Sequence, residues 1–451
     1  MTGDRGNFGS KIGIVLATAG SAVGLGNVWH FPFMAGQNGG AAFIIIYIIC
    51  ILFLGIPGMI SEFIVGRHGA TNAARAYHKL SRGRPWRLVG MLGIVTSIII
   101  LGFYAVVAGW CLQYLYASIM GELRGDAAFV KTYFAEFSAD PVKPIFWAAG
   151  FILLTHWVVV RGVRRGIEKA SKMLMPTLFV LLLILVVASC MLPGAYKGVE
   201  FLLRPDFSKV DQNVLLEALG QAFFSLSLGT ACLCTYASYF SKDTNLAKSA
   251  LQISLIDTLI AILAGLMIFP AAFSVGVNPD SGPSLIFITL PNVFQQAFAA
   301  MPAVGYVVAV MFYFLLALAA LTSTISMHEI GTAFFHEELD RPRSTAAWIV
   351  TAAAMVICVF SSLSCGAYDL KIMGLTVLDF CDMLTAQFLL PMGAFLTCLY
   401  IGWYVRKDIV RNEFTNASTT CNSLFPTYYF FVRFVCPVCI FLIFLHQAGV
   451  I

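Results

Sequence analysis

The stretch from Ala19 to Phe33, AGSAVGLGNVWHFPF, constrains the fold more than any other part of the chain. It lies in an apolar segment long enough to cross a bilayer, for which about 20 residues suffice. Three glycines, Asn27 and Pro32 nevertheless disfavour a continuous helix there. Backbone polar groups cannot stay without partners in lipid. The stretch therefore predicts a helix broken at mid-membrane depth, whose freed groups bind protein, water or ions.

The composition indicates an all-α integral membrane protein. Of 451 residues, 59% are hydrophobic and 11% are charged, whereas soluble domains carry about 25% charged residues. Apolar runs and charged connectors predict eleven transmembrane helices, and no soluble domain interrupts them. The predicted spans are 11–36, 41–66, 88–119, 144–161, 172–193, 214–240, 247–275, 302–335, 345–363, 374–404 and 425–449.

The positions of lysine and arginine predict the orientation. These residues concentrate in the loop after span 2, from Arg67 to Arg87, and in the next loop on that side, from Arg161 to Lys172. The positive-inside rule places this side, with the N-terminus, in the cytoplasm. An odd number of spans then places the C-terminus outside. The expected location is the cell inner (plasma) membrane, with multiple passes.

A second interrupted span suggests an internal repeat. Span 6 contains QAFFSLSLGTACLCTYASY, which is broken between Ser225 and Thr230. Each broken span opens a group of five, and an odd repeat length inverts the second group. We therefore expect one transporter domain, 1–451, with units at 1–193 and 214–404 (a 5+5 inverted repeat with broken helices 1 and 6) and an extra span at 425–449. Paired broken helices in inverted halves indicate a transporter site.

Oxygen atoms near the two breaks suit a sodium ion, which needs about five or six oxygen ligands. Asp257 is an isolated carboxylate in LQISLIDTLIAILAGL, and a charge at mid-membrane is a functional hypothesis by default. Its alternatives are a buried polar pair or a protonated carboxyl. Back-bonding to the preceding turn is the alternative for each hydroxyl. The other candidate oxygens belong to Gly20, Ala22, Val23, Asn27, Ser225, Thr322, Ser323 and Thr324.

Other polar and aromatic residues permit two interpretations each. Glu62 is close to the predicted cytoplasmic end of span 2. It either has a functional role or pairs with Arg67 in a structural one. Tyr104 and Phe224 either pack or close over a substrate. His30 follows the broken segment and either has a functional role or packs. Asp382 lies in the outer part of span 10 and either belongs to a gate or is solvated.

These stretches together resemble the neurotransmitter:sodium symporter family, and especially its bacterial amino-acid members. The resemblance covers essentially the whole chain. Besides the two broken spans it rests on NGGAAFIIIYIICILFLGIPGMISEFIVGR, RGIEKASKMLMPTLF, ITLPNVF and LALAALTSTISM.

The resemblance implies two Na+ sites and one substrate site. The first ion site would use Ala22, Asn27, Ser225 and Asp257. The second would use Gly20, Val23, Ala319, Thr322 and Ser323. The substrate would contact Ala22, Gly24, Gly26, Ile100, Tyr104, Phe224, Ser225, Ser227, Thr230, Ser323, Ser326 and Met327.

Departures from the family pattern imply finer expectations. Gly24 replaces the aspartate of monoamine members, which favours an amino acid over an amine. Asp257 replaces an asparagine of chloride-dependent members and Ala261 replaces a serine, so chloride should not be needed. Thr230 should enlarge the side-chain pocket.

The gates are also expected from the resemblance. His30 replaces the outer-gate arginine, with Asp382 as its partner and Gln221 nearby, and histidine titrates near neutral pH. At the inner gate, Arg5 would pair with Glu337 close to Tyr239.

The expected function is sodium-coupled symport of a neutral, large hydrophobic or aromatic amino acid into the cell by alternating access. The alternative is a sodium-independent, proton-coupled amino-acid exchanger of related fold, with Asp257 as proton carrier. A channel is disfavoured because no filter-like repeat occurs. An enzyme is disfavoured because no paired nucleophile and base are recognisable. We expect the bilayer and a small amino acid as partners, with no nucleic acid and no obligate protein partner.

Overall fold

The structure is a computed structural model that describes residues 7–81, 85–123, 125–276, 285–417 and 422–447. The first half of the chain forms ten α-helices. They are α1 Lys11–Ala22, α2 Phe31–Gln37, α3 Ala41–Cys50, α4 Ile56–Gly69, α5 Ala73–Leu80, α6 Arg87–Met120, α7 Ala127–Ala139, α8 Lys143–Val160, α9 Lys169–Cys190 and α10 Tyr196–Leu203.

The second half is also helical and contains one small antiparallel hairpin, in which Lys371 lies opposite Thr376. Its elements are α11 Gln212–Ser225, α12 Cys232–Ala237, α13 Leu246–Ser274, α14 Leu290–Ala297, α15 Pro302–Glu338, α16 Arg343–Leu363, β1 Lys371–Ile372, β2 Leu375–Thr376, α17 Val377–Met383, α18 Leu390–Leu399, α19 Lys407–Phe414, α20 Phe425–Phe430 and α21 Cys436–Gln447.

Nine helices in the described ranges are long and apolar enough to cross a membrane, several of them with a π-helical turn inside. The count rises to ten if α1 and the segment Gly26–Gln37, which bend by 56° at a short break, form one span. The predicted sixth span is divided into α11 and α12, which are each too short to cross alone. Large apolar side chains such as Phe53, Trp157 and Leu255 are about half exposed, as expected for surfaces that face lipid.

One predicted span boundary is wrong by nine residues. We expected the fifth span to begin at Lys172, but the helix begins at Val163 with a π-helical turn that leads into α9. The cluster of Arg164, Arg165 and Lys169 suggested a loop. A helix tolerates these three charges because their side chains are exposed in its first turns. Farther along, Lys172 Nζ pairs with Glu168 Oε1 at 2.6 Å.

The end of α4 is tied to the distant helix α19 on the side where α1 begins. The Arg67 side chain is 4% exposed, and its Nε lies 2.8 Å from Glu413 Oε2. Its Nη1 donates to the Thr244 carbonyl at 2.5 Å and to Asn416 Oδ1 at 2.9 Å. A buried charge needs such partners. The expected pairing of Arg67 with Glu62 is therefore wrong.

Glu413→Gln is expected to lower the melting temperature of the purified protein at neutral pH. Burial raises the pKa of Glu413, but hydrogen bonds and charges from His68 and Arg67 outweigh it and hold the pKa below the ordinary value of 4.5. A lowered folded-state pKa stabilises the protein above that value, and the stabilisation is lost as the pH falls through the folded pKa. The melting-temperature difference between variant and wild type should therefore shrink below about pH 4.5. A difference that does not depend on pH would contradict this assignment.

Candidate functional site

The first break begins where α1 ends, at Ala22. Val23 has an extended backbone (φ −72°, ψ 110°), so its carbonyl leaves the helical ladder. The Thr322 and Ser323 hydroxyls of α15 donate to this carbonyl at 3.1 and 3.2 Å. Asn27 closes the turn, since its Oδ1 accepts from the Gly24 N–H at 3.0 Å. The predicted break is thus present, and side chains satisfy its freed groups.

Asp257 lies at the meeting point of both interrupted segments and is fully buried. Its Oδ1 accepts from Asn27 Nδ2 at 2.7 Å, and its Oδ2 accepts from the Ser225 hydroxyl at 2.7 Å. Tyr47 OH also donates to Oδ2, at 3.3 Å. Three of the four residues expected at the first ion site are therefore in direct contact, and the fourth, Ala22, is the last residue of α1 before the break. Tyr47 gave no signal in the sequence, because it resembles any aromatic residue in an apolar run.

The residues expected at the second ion site meet where α1 packs on α15. Thr322 Oγ1 lies 2.9 Å from the Ala319 carbonyl oxygen and 3.1 Å from that of Val23, so its one proton is within reach of both. Gly20 lies on the facing turn, where an added Cβ would be 3.5 Å from the Thr322 Cβ. The cluster offers carbonyl and hydroxyl oxygens only, which are suitable ligands for a hard cation.

Two glycines in the first break leave no room for a side chain. A Cβ on Gly24 would lie 2.4 Å from Ser323 Oγ and 3.0 Å from the Tyr104 hydroxyl. A Cβ on Gly26 would lie 3.0 Å from the Phe224 ring. The Tyr104 hydroxyl accepts from the Leu25 N–H at 3.0 Å. Tyr104 and Phe224 therefore flank the break, as expected for residues around a substrate.

An apolar cluster adjoins this break. Ile100, Phe103 and Leu390 form its buried part, and Tyr104, Phe224, Met327, Leu378 and Cys381 pack against it. Ile100 and Met327 were expected here. Phe103, Leu378, Leu390 and Cys381 were not, since nothing in the local sequence distinguishes them from other apolar positions.

The hydroxyls expected around the substrate bind backbone carbonyls. Thr230 Oγ1 donates to the Ser227 carbonyl and Ser326 Oγ to the Ser323 carbonyl, each at 2.7 Å. Ser227 Oγ donates to the Ser21 carbonyl at 3.3 Å and so joins the second break to α1. With their protons engaged in this way, Thr230 and Ser326 add little polarity to the pocket.

Glu62 supports the second break and is 2% exposed. Its Oε1 accepts from the Gly229 N–H at 2.7 Å. Gly229 has φ +83°, and a Cβ there would lie 2.2 Å from the Leu390 carbonyl oxygen. The role of Glu62 is therefore to satisfy the backbone of a non-helical turn between α11 and α12.

Comparison with known proteins identifies the family. The model of the sodium:neurotransmitter symporter family matches residues 5–133 and 143–450. The chain belongs to this family. It is 39% identical to an uncharacterised sodium-dependent transporter of Bacillus subtilis over 447 residues, which cover 98% of both proteins. An uncharacterised sodium-dependent transporter of Haemophilus influenzae is 32% identical, again with 98% of both proteins covered.

A solved structure is also similar. The crystal structure of MhsT in complex with L-phenylalanine matches with a TM-score of 0.89 and 39% identity, covering 98% of this chain and all of that one. The family and the apolar helices together identify a multi-pass membrane transporter.

Of the residues expected at an outer gate, His30 contacts Gln221 and not Asp382. The distance from His30 Nδ1 to Gln221 Oε1 is 2.5 Å, and the imidazole lies 5.3 Å from the Phe224 ring. Although His30 and Asp382 both lie in the described ranges, no hydrogen bond or ion pair joins them. The expected pair is absent from this conformation because the imidazole turns towards α11.

Of the residues expected at an inner gate, Arg5 lies outside the described residues. Its expected partner Glu337 accepts at Oε2 from Thr71 Oγ1 at 2.6 Å and from the Asn72 N–H at 2.7 Å. Tyr239 OH donates to Glu329 Oε1 at 2.7 Å, and Arg343 Nη1 donates to the same oxygen at 3.1 Å. Glu329 and Arg343 were not predicted, because their contact forms only between two helices, α15 and α16.

Gly24→Ala is expected to reduce transport at least about tenfold, because the methyl group would collide with Ser323 Oγ and crowd Tyr104. Gly150→Ala is a matched control, since a Cβ at Gly150 in α8 meets no atom within 4 Å. Initial uptake rates of both variants in proteoliposomes, normalised to reconstituted protein, provide the measurement. Equal rates for the two variants would show that the space at Gly24 is not needed.

Proposed function

We propose that the chain imports a neutral amino acid with a large apolar or aromatic side chain by sodium-coupled symport that does not require chloride. The observation that carries the proposal is the buried Asp257 carboxylate between the two breaks, with Asn27 and Ser225 in contact with it. An ionised carboxylate at this depth is costly and marks an ion or proton pathway. A sodium ion would offset that cost directly.

Two ion sites are supported by the oxygen atoms present. In the first, Asp257, Ser225, Asn27 and the Ala22 carbonyl would bind Na+, and the substrate carboxylate would complete the site. In the second, the Val23 and Ala319 carbonyls with Thr322 and Ser323 would bind Na+, next to Gly20. Each site contains atoms from a break, so ion binding would order the interrupted backbone.

The substrate class is supported by the surroundings of the first break. The Leu25 N–H donates to the Tyr104 hydroxyl at 3.0 Å. If this hydrogen bond broke, both groups could donate to the carboxylate of a substrate. An aspartate side chain at position 24 would need the space that Ser323 and Tyr104 occupy. This favours a substrate that carries its own carboxylate, as an amino acid does. The cluster of Ile100, Phe103, Met327 and Leu390 favours an apolar or aromatic side chain. L-phenylalanine is bound by the solved relative MhsT.

Chloride independence is supported by charge. Asp257 supplies a fixed negative charge beside the first ion site, and Ala261, one turn along α13, offers no hydroxyl to an anion. A transporter with a built-in carboxylate does not need an added anion to balance the ions that it carries.

The transport cycle would be alternating access in a bundle of eleven spans. In this arrangement α11 and α12 form one broken crossing that corresponds to α1 and α2, and the two five-span units are inverted relative to each other. The N-terminus would face the cytoplasm and the C-terminus the outside of the inner membrane. Ligands would then shift the equilibrium from outward-facing to inward-facing states.

The deciding experiment is uptake of labelled L-phenylalanine and L-leucine into proteoliposomes under a sodium gradient. Concentrative uptake should be lost when choline or potassium replaces sodium and unchanged when gluconate replaces chloride. Undiminished uptake driven by a proton gradient without sodium would instead favour the proton-coupled exchanger. A thermal-shift screen of the twenty amino acids, with and without sodium, would identify the substrate, since a ligand raises stability by RT ln(1 + [L]/Kd).

A further inference from the structure

A cavity separate from the two breaks lies on the opposite side of the bundle from the start of α1. It is enclosed by the end of α6, the loop helix α14 and the beginning of α15. Its volume is about 280 Å³. Most of its wall is apolar or aromatic, and among the described residues that line it none is acidic, basic or a histidine. Its apolar and aromatic lining includes Leu123, Pro291, Phe294, Phe298, Tyr306 and Tyr313.

One hydroxyl in this wall has no partner. Ser118 is 4% exposed, and its Oγ makes no hydrogen bond within the described part of the chain. The other polar groups nearby are engaged: Tyr313 OH donates to the Ile286 carbonyl at 2.9 Å, and Gln295 Oε1 accepts from the Gly125 N–H at 3.1 Å. An unsatisfied buried hydroxyl costs about 1–3 kcal/mol, so a ligand atom that binds Ser118 would be favoured.

We propose that this cavity is a binding site for a small, uncharged aromatic molecule with one hydrogen-bonding group. An apolar cavity of about 150 Å³ stays dry and holds benzene, so this larger cavity can take a bicyclic ring. The four aromatic side chains suit edge and face contacts with such a ring. Ser118 supplies the single polar contact, and the described lining residues carry no charge that would bind a zwitterionic amino acid. The site is therefore distinct from the substrate site in its chemistry.

An occupant would hold α14 against the bundle. α14 already docks on the end of α6, because Gln295 Nε2 donates to the Leu123 carbonyl and its Oε1 binds Gly125. A ring between Phe294 of α14 and Tyr313 of α15 would strengthen this docking. This consequence rests on the proposed function, since it matters only if the outer surface must open during transport.

Indole is the probe for the binding test, and indene, which lacks the N–H, is its matched comparison. Binding to purified full-length protein is measured by calorimetry in saturating sodium. We expect saturable indole binding to wild type. Ala309→Phe, which fills the cavity, should abolish it. Ser118→Ala should weaken indole binding about three- to tenfold and leave indene binding unchanged. Ala303→Phe, at an exposed position on the same helix, should bind indole as the wild type does.

Three results would overturn the proposal: no saturable binding to wild type, equal indole affinity in Ala309→Phe, or competition with the amino-acid substrate for one site. Uptake assays address the consequence separately. Indole should lower the maximal uptake rate without changing the KM for substrate. Indole binding with the expected variant pattern in a protein that shows no sodium-dependent uptake would mean that the proposed function fails while the cavity site stands.

Discussion

Asp257→Asn is expected to lower sodium-dependent uptake at least about 100-fold in chloride-free buffer, because the first ion site would lose its only fixed negative charge. Asparagine keeps the size of the side chain and can still accept the Ser225 hydroxyl proton, so the fold should be retained. Chloride should restore part of the activity, because an anion can replace the missing charge. The measurement is initial uptake in proteoliposomes with gluconate or chloride as the anion.

Asp369→Asn is the control for this experiment. Asp369 pairs with Lys371 beside the small hairpin, and its side chain is 82% exposed. Its replacement should change neither the rate nor the response to chloride. If Asp257→Asn kept wild-type, chloride-independent uptake, the role of Asp257 in ion binding would be wrong.

Gly229→Ala is expected to have the largest effect on the folded protein. An added Cβ would lie 2.2 Å from the Leu390 carbonyl oxygen, and the alanine would also have to adopt a backbone φ of +83°. The Leu390 carbonyl cannot move without displacing α18, and Gly393 of α18 already lies against the Gly229 backbone. Overpacking of this kind costs several kcal/mol once backbone strain is added. We expect a much lower yield of monodisperse protein, and a melting temperature that is lower by roughly 3–5 °C in what remains.

Gly162→Ala separates the two causes of this destabilisation, which are the steric overlap with Leu390 and the backbone strain at positive φ. Gly162 has φ +87°, and a Cβ there meets no atom within 4 Å. This variant carries the backbone strain alone, about 1–2 kcal/mol, and should melt only slightly below the wild type. Similar losses in both variants would show that positive φ, and not the contact between the second break and α18, limits stability.

Much of the site could be predicted because the membrane makes polar residues conspicuous. Three glycines and an asparagine in an apolar run predicted the first break, and the structure bends there by 56°. Asp257 was found because it is the only acidic residue in its span, and its contacts with Asn27 and Ser225 followed from the family resemblance. Thr322 and Ser323 were candidates because they form a cluster of hydroxyl groups in an apolar span.

The parts that could not be predicted depend on contacts between distant helices. Glu62 and Arg67 are five residues apart, which places them about 140° apart around a helix and so not on one face. Each therefore finds a partner elsewhere, Gly229 for Glu62 and Glu413 for Arg67. Phe103 and Leu390 line the apolar pocket only because α6 and α18 meet there. Such proximity has no signal in a local window of sequence.

The contact between Arg67 and Glu413 also constrains the order in which the protein can be made. The two residues are 346 positions apart, and Thr244 and Asn416 complete the same cluster. During synthesis from the N-terminus, the Arg67 guanidinium must wait for nearly the whole chain to be translated before its partners exist. A chain truncated before Glu413 would keep an arginine without its carboxylate near the membrane surface. The cluster that fixes the end of α4 can therefore form only after α19 has been made.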